Sequence, residues 1–215
     1  MVAGRYIAVE GPLGVGKRPF AEKLATHLRA RLVIGPKDNP FLPEFYAKGQ
    51  QNRFQTQTYF LLARYQAQVE IAQSDFFFAG GVVSDFLFAR DSLYAKMLLS
   101  HDEHALYDKV FALLHPRVTR PDLVVFLDAR AETLLARMDR RQGASGLTRN
   151  LTLEYVEQVV SAYREFFFHW DHSPLLVVDT SDVDLESDTH VVDELLAVIG
   201  KQPHAVQHYI PLGSE

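Results

Sequence analysis

A glycine-rich segment near the amino terminus carries the clearest chemical signal. Its spacing is glycine, any four residues, glycine and lysine, and it reads Gly11-Pro12-Leu13-Gly14-Val15-Gly16-Lys17. Glycines let the backbone curl until successive amides and the next helix face phosphate oxygens, and the lysine reaches the outer phosphates. An apolar run precedes the segment and a helical pattern follows it. We therefore predict a loop that binds a nucleoside triphosphate with Lys17 as a catalytic residue, rather than a turn with a solvated lysine.

The residue after this lysine departs from the motif. The position normally holds Ser or Thr, whose hydroxyl ligates Mg²⁺ between the phosphates, but here it is Arg18. A guanidinium can bind phosphate oxygens but cannot ligate a cation. Arg18 either joins the phosphate site or points to solvent from the first helical turn. We expect residues 11–18 to bind ATP, although the hydroxyl that would ligate Mg²⁺ is missing.

Short apolar runs alternate with longer helical patterns along the chain. The predicted strands are 6–9, 31–34, 81–84, 123–128 and 175–179, and the predicted helices are 17–29, 53–73, 91–99, 103–114, 131–141, 153–169 and 191–199. Strands that are apolar on both faces are typical of parallel sheets covered by helices. The pattern predicts an α/β fold of the P-loop NTPase type, a doubly wound parallel sheet with helices on both faces. We expect one domain over residues 1–200 and a polar tail over 201–215.

Composition excludes several classes of protein. The 215 residues include 22 basic and 27 acidic side chains, for a net charge of −5, and no cysteine. A broad basic surface for nucleic acid or anionic lipid is not expected, and neither are disulfides, thiolate zinc sites or a cysteine nucleophile. No apolar run approaches the roughly 20 residues that span a bilayer. We expect a cytoplasmic protein whose partners are small molecules, without nucleic acid or membrane.

Four further segments resemble the deoxynucleoside kinase family, particularly the bacterial deoxyguanosine and deoxyadenosine kinases. They are residues 38–46, 54–65, 84–91 and 120–128, and with the phosphate loop the resemblance covers about residues 5–180. The specific parts are Asn39-Pro40-Phe41-Leu42 and the helix that carries Gln57 and Arg64, whereas the last segment is also common in thymidylate kinases. The resemblance implies ATP- and Mg²⁺-dependent transfer of the γ-phosphate to the 5′-hydroxyl of a deoxynucleoside in nucleotide salvage, with a purine as the expected base. It also implies a homodimer.

The resemblance assigns roles to four substrate-binding residues. Tyr46 matches the tyrosine that holds the sugar 3′-hydroxyl, and Gln57 matches the glutamine that reads the base. An amide offers a donor and an acceptor side by side, as a bidentate base contact requires. Arg64 and Asp91 match the charged partners that complete base recognition. Gln57 and Arg64 are seven residues apart, two helical turns, so both can face one pocket; alternatively they are solvated helix residues.

Further residues match the family's catalytic apparatus. Asp85, at the end of the third predicted strand, matches the acidic residue that helps hold the metal, although an aspartate here can also cap the next segment. Arg137, Arg140 and Arg141 resemble the lid arginines that clamp the transferring phosphoryl group. Alternatively they are cations at the end of a helix, where the dipole favours them.

Two family positions are altered. The glutamate that accepts the proton of the 5′-hydroxyl falls on Ile34 or, with one residue deleted, on Gly35, and the lid glutamate falls on Thr148. Asp38 can replace the base only if its loop shifts. The alternative to a slow kinase is therefore a catalytically degenerate relative that binds nucleoside or nucleotide and forms a heterodimer with an active paralogue. A thymidylate kinase is a third hypothesis.

Overall fold

A sheet of parallel strands forms the centre of the molecule. The structure is a computed structural model that describes residues 5–47, 51–74, 80–142 and 151–211. Within these ranges the sheet has six strands in the order β2-β3-β1-β4-β5-β6, and every pairing is parallel. The strands are β1 (Tyr6–Glu10), β2 (Arg31–Val33), β3 (Val82–Ser84), β4 (Leu123–Asp128), β5 (Leu175–Asp179) and β6 (Val206–Tyr209). The predicted α/β fold is confirmed.

Helices connect these strands. They are α1 (Lys17–Leu28), α2 (Leu42–Ala47), α3 (Arg53–Ser74), α4 (Asp91–Leu98), α5 (His101–Leu114), α6 (Ala131–Gln142), α7 (Leu153–Phe168) and α8 (Thr189–Gly200). Helix α5 begins before the predicted position 103 because Ser100 and Glu103 form a capping box there. The short helix α2, inside the segment that resembles deoxynucleoside kinases, was not predicted. No helix in the described ranges is long and apolar enough to cross a bilayer.

Residues of β1 alternate between two apolar layers, one on each face of the sheet. Ile7 and Val9 belong to the layer that contains buried residues of α1, α6 and α8. Tyr6 and Ala8 belong to the opposite layer, with buried residues of α3, α4 and α7. Successive side chains of a strand point to opposite faces, so a strand that is apolar throughout requires helices on both sides. The sheet thereby buries β1 completely and holds the loop that follows it.

The order of the strands creates a crevice at the end of β1. The chain passes from β1 to β2 and β3 on one side and then crosses to β4 on the other, so β1 lies between β3 and β4. Open α/β sheets bind ligands outside the carboxyl ends of their strands at such a switch point. The residues that follow Glu10 therefore lie where a ligand is expected to bind.

The sheet extends past residue 200, where we predicted a polar tail. Residues 206–209 pair with β5 as an edge strand, with Val206 opposite Leu175. The Tyr209 hydroxyl donates a hydrogen bond to the Glu194 carboxylate at 2.7 Å. The strand was missed because most of its residues are exposed and an edge strand of this kind lacks an apolar pattern.

Candidate active site

The predicted phosphate loop curls around the end of β1. Gly14 and Gly16 have φ angles of 86° and 97°, a left-handed conformation that side chains rarely adopt, and Gly16 caps α1. The Lys17 ammonium donates hydrogen bonds to the carbonyl oxygens of Gly11 at 2.5 Å and Pro12 at 3.3 Å. The lysine therefore folds back across its own loop, where the outer phosphates of a nucleotide would displace these carbonyl contacts.

Gly11 is required by a close approach between two backbones. A Cβ added at this position would lie 2.3 Å from the Leu127 carbonyl oxygen. We expect Gly11→Ala to lower the free energy of unfolding by about 2 kcal/mol, because backbone must shift to relieve the clash. The matched control is Gly200→Ala, where an added Cβ meets nothing within 4 Å. Urea denaturation should separate the two variants, and equal midpoints would contradict this account of the loop.

Glu10, immediately before the loop, is a buried carboxylate that we did not predict as a site residue. It accepts hydrogen bonds from the amides of Gly11 at 2.8 Å and Leu87 at 2.9 Å, and from Arg90 Nε at 3.0 Å. The Lys17 ammonium lies 3.7 Å away. Burial acts to raise the pKa of Glu10, but Arg90, Lys17 and the two amides together hold that pKa below its ordinary value. Glu10 is thus the ionised counter-charge beneath the loop.

The environment of Lys17 has the opposite effect on a cation. Burial lowers the pKa of the Lys17 ammonium to about 8, and repulsion from Arg90 adds to this effect, while attraction to Glu10 opposes it. A bound anion raises the pKa of such a lysine, so that the ammonium keeps its proton. An incoming phosphate therefore supplies negative charge that stabilises the protonated Lys17.

A cavity of about 370 Å³ opens beside the loop, and nearly all the charged side chains that line it are cations. Its charged residues are Lys17, Arg18, Lys37, Arg64, Arg90, Arg141 and the single carboxylate Asp85. A concave surface with this charge concentrates anions, and guanidinium groups match the geometry of phosphate oxygens. The cavity therefore has the chemistry of a polyphosphate site.

Arg18 and Asp85 form an ion pair at the wall of this cavity. The Arg18 Nε lies 3.2 Å from one Asp85 carboxylate oxygen, and the Gly35 amide donates to the other oxygen at 2.6 Å. In the described part of the chain, no group of three or more His, Cys, Asp or Glu side chains is arranged to hold a metal. These residues do not fit the Mg²⁺ site that the family resemblance implies, because Arg18 supplies a cation and Asp85 is already bonded through both oxygens.

A second cavity, of about 160 Å³, receives the residues predicted to bind the nucleoside. Tyr46 from α2 and Gln57 and Arg64 from α3 all line it, together with apolar and aromatic side chains. Burial raises the pKa of the Tyr46 hydroxyl to about 12, so this hydroxyl is neutral at physiological pH. An apolar cavity with a few convergent polar groups is typical of a small-molecule site.

The polar groups at the end of this cavity are held by Asp91, which is fully buried at the start of α4. Its carboxylate accepts hydrogen bonds from the side chains of Gln57 and Arg64, and from the Tyr107 hydroxyl at 3.1 Å. Gln57 also donates to the Asp91 carbonyl at 2.9 Å. The predicted trio of Gln57, Arg64 and Asp91 is therefore brought together, and Tyr107 joins it without having been predicted.

Asn39 fastens the segment that carries Tyr46. Its side-chain amide donates to the Thr56 carbonyl at 3.0 Å, and its side-chain oxygen accepts from the Phe41 amide at 3.0 Å. These bonds join the start of the Asn-Pro-Phe-Leu segment to α3. Through these bonds the loop that leads into α2 is fixed to α3, and Tyr46 and Gln57 line the same cavity.

The two cavities share one wall. Leu13, Lys17, Arg64 and Arg90 line both the 160 Å³ and the 370 Å³ cavities. A ligand that fills the first cavity and a ligand that fills the second therefore meet beside Lys17. This is the arrangement that a transfer of a phosphoryl group between two bound molecules requires.

The arginines of α6 do not all face the phosphate loop. Arg137 is buried and donates to the Val183 carbonyl at 2.6 Å, whereas Arg140 is exposed and lies 3.4 Å from Asp184. Only the third of them, Arg141, lines the cationic cavity, and it donates to the Gly14 carbonyl at 3.2 Å. The predicted clamp of Arg137 and Arg140 is therefore corrected, because α6 turns these two side chains towards the segment that follows β5.

The positions where the family carries its two glutamates differ in their distance from the cavities. Gly35 lines the cationic cavity, while Ile34 and Asp38 are exposed and line neither cavity. Thr148 lies outside the described residues. The substitute base that Asp38 was considered for is therefore not positioned by the loop in this structure.

Known kinases are similar to this chain in sequence. The sequence model of the family described as deoxynucleoside kinase matches residues 7–202. Deoxyguanosine kinase of Bacillus subtilis is 29% identical over 160 residues, 74% of this chain and 76% of that protein. Deoxyadenosine kinase of Dictyostelium discoideum is 33% identical over 169 residues, 76% of this chain and 66% of that protein.

A solved structure has the same fold. Deoxyadenosine kinase from M. mycoides with bound dATP aligns with a TM-score of 0.73 at 21% identity, covering 92% of this chain and 99% of that one. At this identity the likeness concerns the fold, and the matching family model extends it to the sequence. The chain, with its phosphate loop and its Gln57, Arg64 and Asp91 cluster, belongs to the deoxynucleoside kinase family.

Proposed function

We propose that this protein transfers the γ-phosphoryl group of ATP to the 5′-hydroxyl of a deoxynucleoside, preferably a purine, in cytoplasmic nucleotide salvage. The observation that carries the proposal is the wall shared by the two cavities at Lys17. The acceptor binds in the cavity of Tyr46 and Gln57, and the triphosphate binds in the cationic cavity. The reacting groups then meet at Lys17.

The polar groups of the acceptor cavity suit a purine or cytosine. Gln57 donates both of its amide hydrogens to Asp91, so its Oε1 is left to accept from an exocyclic amino group of the base. The Arg64 guanidinium adds a fixed positive charge at the same end of the cavity. Tyr46 lies on the side of the sugar and supplies a neutral hydroxyl for its 3′-oxygen.

Transfer depends on cations that stabilise charge on the moving phosphoryl group. The 5′-oxygen forms a bond to the γ-phosphorus, the bond from phosphorus to the β–γ bridging oxygen breaks, and ADP leaves. Lys17, Arg90 and Arg141 line the cavity in which this charge develops. The hydroxyl proton passes to water, because the loop before α2 supplies no base, and a missing positioned base typically costs about 10²- to 10⁴-fold in rate. The proposed kinase is therefore slow.

A coupled assay of ADP release with each deoxynucleoside, in Mg²⁺ and in EDTA, tests the proposal. We expect turnover with deoxyadenosine or deoxyguanosine and loss of turnover in Lys17→Ala, with the same variant folded by circular dichroism. No ADP release with any deoxynucleoside at high protein concentration would contradict the proposed kinase activity. Phosphorylation of dTMP but of no nucleoside would indicate a thymidylate kinase instead.

The Arg18–Asp85 ion pair favours a second candidate function. A relative that binds nucleoside or nucleotide without turnover would serve as the partner of an active paralogue in a heterodimer. Binding of ATP and deoxynucleoside without ADP release, together with activation of an intact paralogue on mixing, would establish it.

We also propose a homodimer for the kinase, with Phe168 at the end of α7 as a contact residue because this aromatic residue is 84% exposed.

The lowered pKa of Lys17 makes ATP binding depend on pH. Only the protonated ammonium attracts phosphate, and in the free protein it loses its proton as the pH rises past about 8. We expect the affinity for ATP to fall about tenfold between about pH 7 and about pH 9, with proton uptake on binding at the upper end. Calorimetry in buffers of different ionisation enthalpy measures both effects. Lys17→Arg is the control, because a guanidinium stays charged, and a pH-independent wild type would contradict the prediction.

A further inference from the structure

The ion pair between Arg18 and Asp85 lies where the phosphate loop lacks the hydroxyl that would ligate a metal ion. We propose that Arg18 and the other cations of the cavity take the place of the divalent cation, and that the protein binds the triphosphate of ATP without a metal. The inference rests on the proposed function, because it concerns the same triphosphate cavity. It goes beyond that function by stating which cations accompany the bound nucleotide.

The carboxylate that would hold a metal is already engaged. The Arg18 Nε is 3.2 Å from one Asp85 oxygen, and the Gly35 amide donates at 2.6 Å to the other. The Asp85 side chain is only 11% exposed and that of Arg18 is 24% exposed, so water competes little for this pair. A divalent ion at Asp85 would have to share the carboxylate with both donors and lie beside a guanidinium of the same sign.

The other acidic side chain beside the loop, Glu10, has more donors around it. Its carboxylate accepts four hydrogen bonds, from the Gly11 and Leu87 amides, Arg90 Nε and the Tyr163 hydroxyl, and the Lys17 ammonium lies beside it. A carboxylate with this many donors has no vacant direction towards the cavity. Glu10 is therefore not available as a ligand, and Asp85 is shared with a guanidinium and an amide.

The positive charge that a metal would bring is supplied by side chains. Arg18 enters the cavity at the position of the motif's hydroxyl, and Lys37 enters from the segment where the family carries its glutamate. Lys17, Arg90 and Arg141 line the same 370 Å³. Guanidinium groups bind phosphate oxygens in pairs and carry their charge at every accessible pH, so a triphosphate can be neutralised by this lining alone.

Metal and protein should then compete for the same phosphate oxygens. Magnesium ions bind ATP in solution and mask the oxygens that Arg18 needs, while Arg18 repels the complexed ion. ATP is therefore expected to bind at least as tightly in EDTA as in excess Mg²⁺. A protein with a metal ligand in place of Arg18 should show the reverse preference.

Isothermal titration of ATP into the wild-type protein, in EDTA and in excess MgCl₂, tests the inference. Tight binding in EDTA that does not improve in MgCl₂ supports it. Binding in MgCl₂ alone would overturn it and would leave the proposed kinase standing. Absence of binding in both buffers, with the protein folded, would overturn the triphosphate site and with it the proposed function.

Arg18→Thr supplies an independent readout. Restoring the hydroxyl should weaken ATP binding in EDTA about tenfold or more, because a charge-assisted contact is lost, and should make binding improve in MgCl₂. Arg31→Thr is the matched control, since Arg31 pairs with Glu70 at 3.3 Å and lines neither cavity. Unchanged binding by Arg18→Thr in EDTA would overturn the role of Arg18, and a variant that fails to fold leaves the wild-type comparison to decide.

Discussion

Glu10→Gln is expected to lower the free energy of unfolding by about 3 to 5 kcal/mol, the cost of leaving a buried charge without its partner. The carboxylate is fully buried and neutralises Arg90 at 3.0 Å and Lys17 at 3.7 Å. An amide keeps the shape of the side chain but removes this charge and turns an NH₂ group towards the donors around it. Denaturation in urea measures the loss.

The same variant should lose the acid sensitivity that Glu10 confers. Because the pKa of Glu10 is held below its ordinary value in the folded protein, its stabilisation is present above the unfolded pKa of about 4.3 and disappears as the pH falls through the folded pKa. The difference in stability between wild type and Glu10→Gln should therefore shrink from about pH 6 towards about pH 3. A constant difference over this range would contradict the assignment.

Glu165→Gln is the control for the same chemical change on the surface. The Glu165 side chain is 65% exposed and pairs with Lys96 at 3.6 Å. Exposed pairs contribute roughly 0 to 1 kcal/mol, so this variant should unfold almost as the wild type does. Equal losses in Glu10→Gln and Glu165→Gln would show that the buried network does not carry the stability assigned to it.

Asp91→Asn is expected to weaken deoxynucleoside binding about 10²-fold while leaving the affinity for ATP within a few-fold of wild type. Asp91 holds Gln57 and Arg64 at the end of the acceptor cavity, and an asparagine cannot accept from both and neutralise the guanidinium. Arg64, buried beside it, would also cost about 3 to 5 kcal/mol of stability when left unpaired. Titrations with nucleoside and with ATP, at a temperature where the variant is folded, measure the split.

Tyr107→Phe is the matched control for this network. It removes one hydrogen bond to Asp91, at 3.1 Å, without changing any charge. Its expected cost is about 1 kcal/mol, with nucleoside binding reduced only slightly. If Asp91→Asn bound deoxynucleoside as the wild type does, the acceptor cavity would have to lie elsewhere.

The phosphate loop could be predicted because its information is local. The left-handed glycines at positions 14 and 16 and the helix start at Lys17 follow from a short stretch of sequence. Gln57 and Arg64 were identified by family resemblance, and helical periodicity showed that both can lie on one face. Asp91 was identified by family resemblance, and its contact with both residues depends on how α4 packs against α3.

Glu10 and Arg90 were missed for a different reason. Glu10 is an acidic residue at the end of the first apolar strand and directly precedes Gly11, a signal that was visible in the sequence. An acidic group beside a phosphate loop looks unfavourable until Arg90, eighty positions later, is known to meet it. Pairs separated by this distance in the chain cannot be read from spacing.

The arginines of α6 show the limit of motif matching. Their resemblance to the family's lid arginines implied a common function, but Arg137 is in a buried contact with Val183, and of the three only Arg141 lines the phosphate cavity. The direction of a long side chain depends on the neighbours that the fold supplies. The edge strand β6 was missed because its exposed residues lack a period.

The central claim is that the nucleoside cavity and the triphosphate cavity form one site that meets at Lys17. Deoxyadenosine joined through a 5′-polyphosphate to adenosine would span both cavities, and its affinity, measured by calorimetry in EDTA, tests the claim directly. We predict that it binds about 10²-fold more tightly than ATP, since the second cavity is then filled within one molecule. An affinity no higher than that of ATP, or displacement by ATP but not by a deoxynucleoside, would contradict the claim.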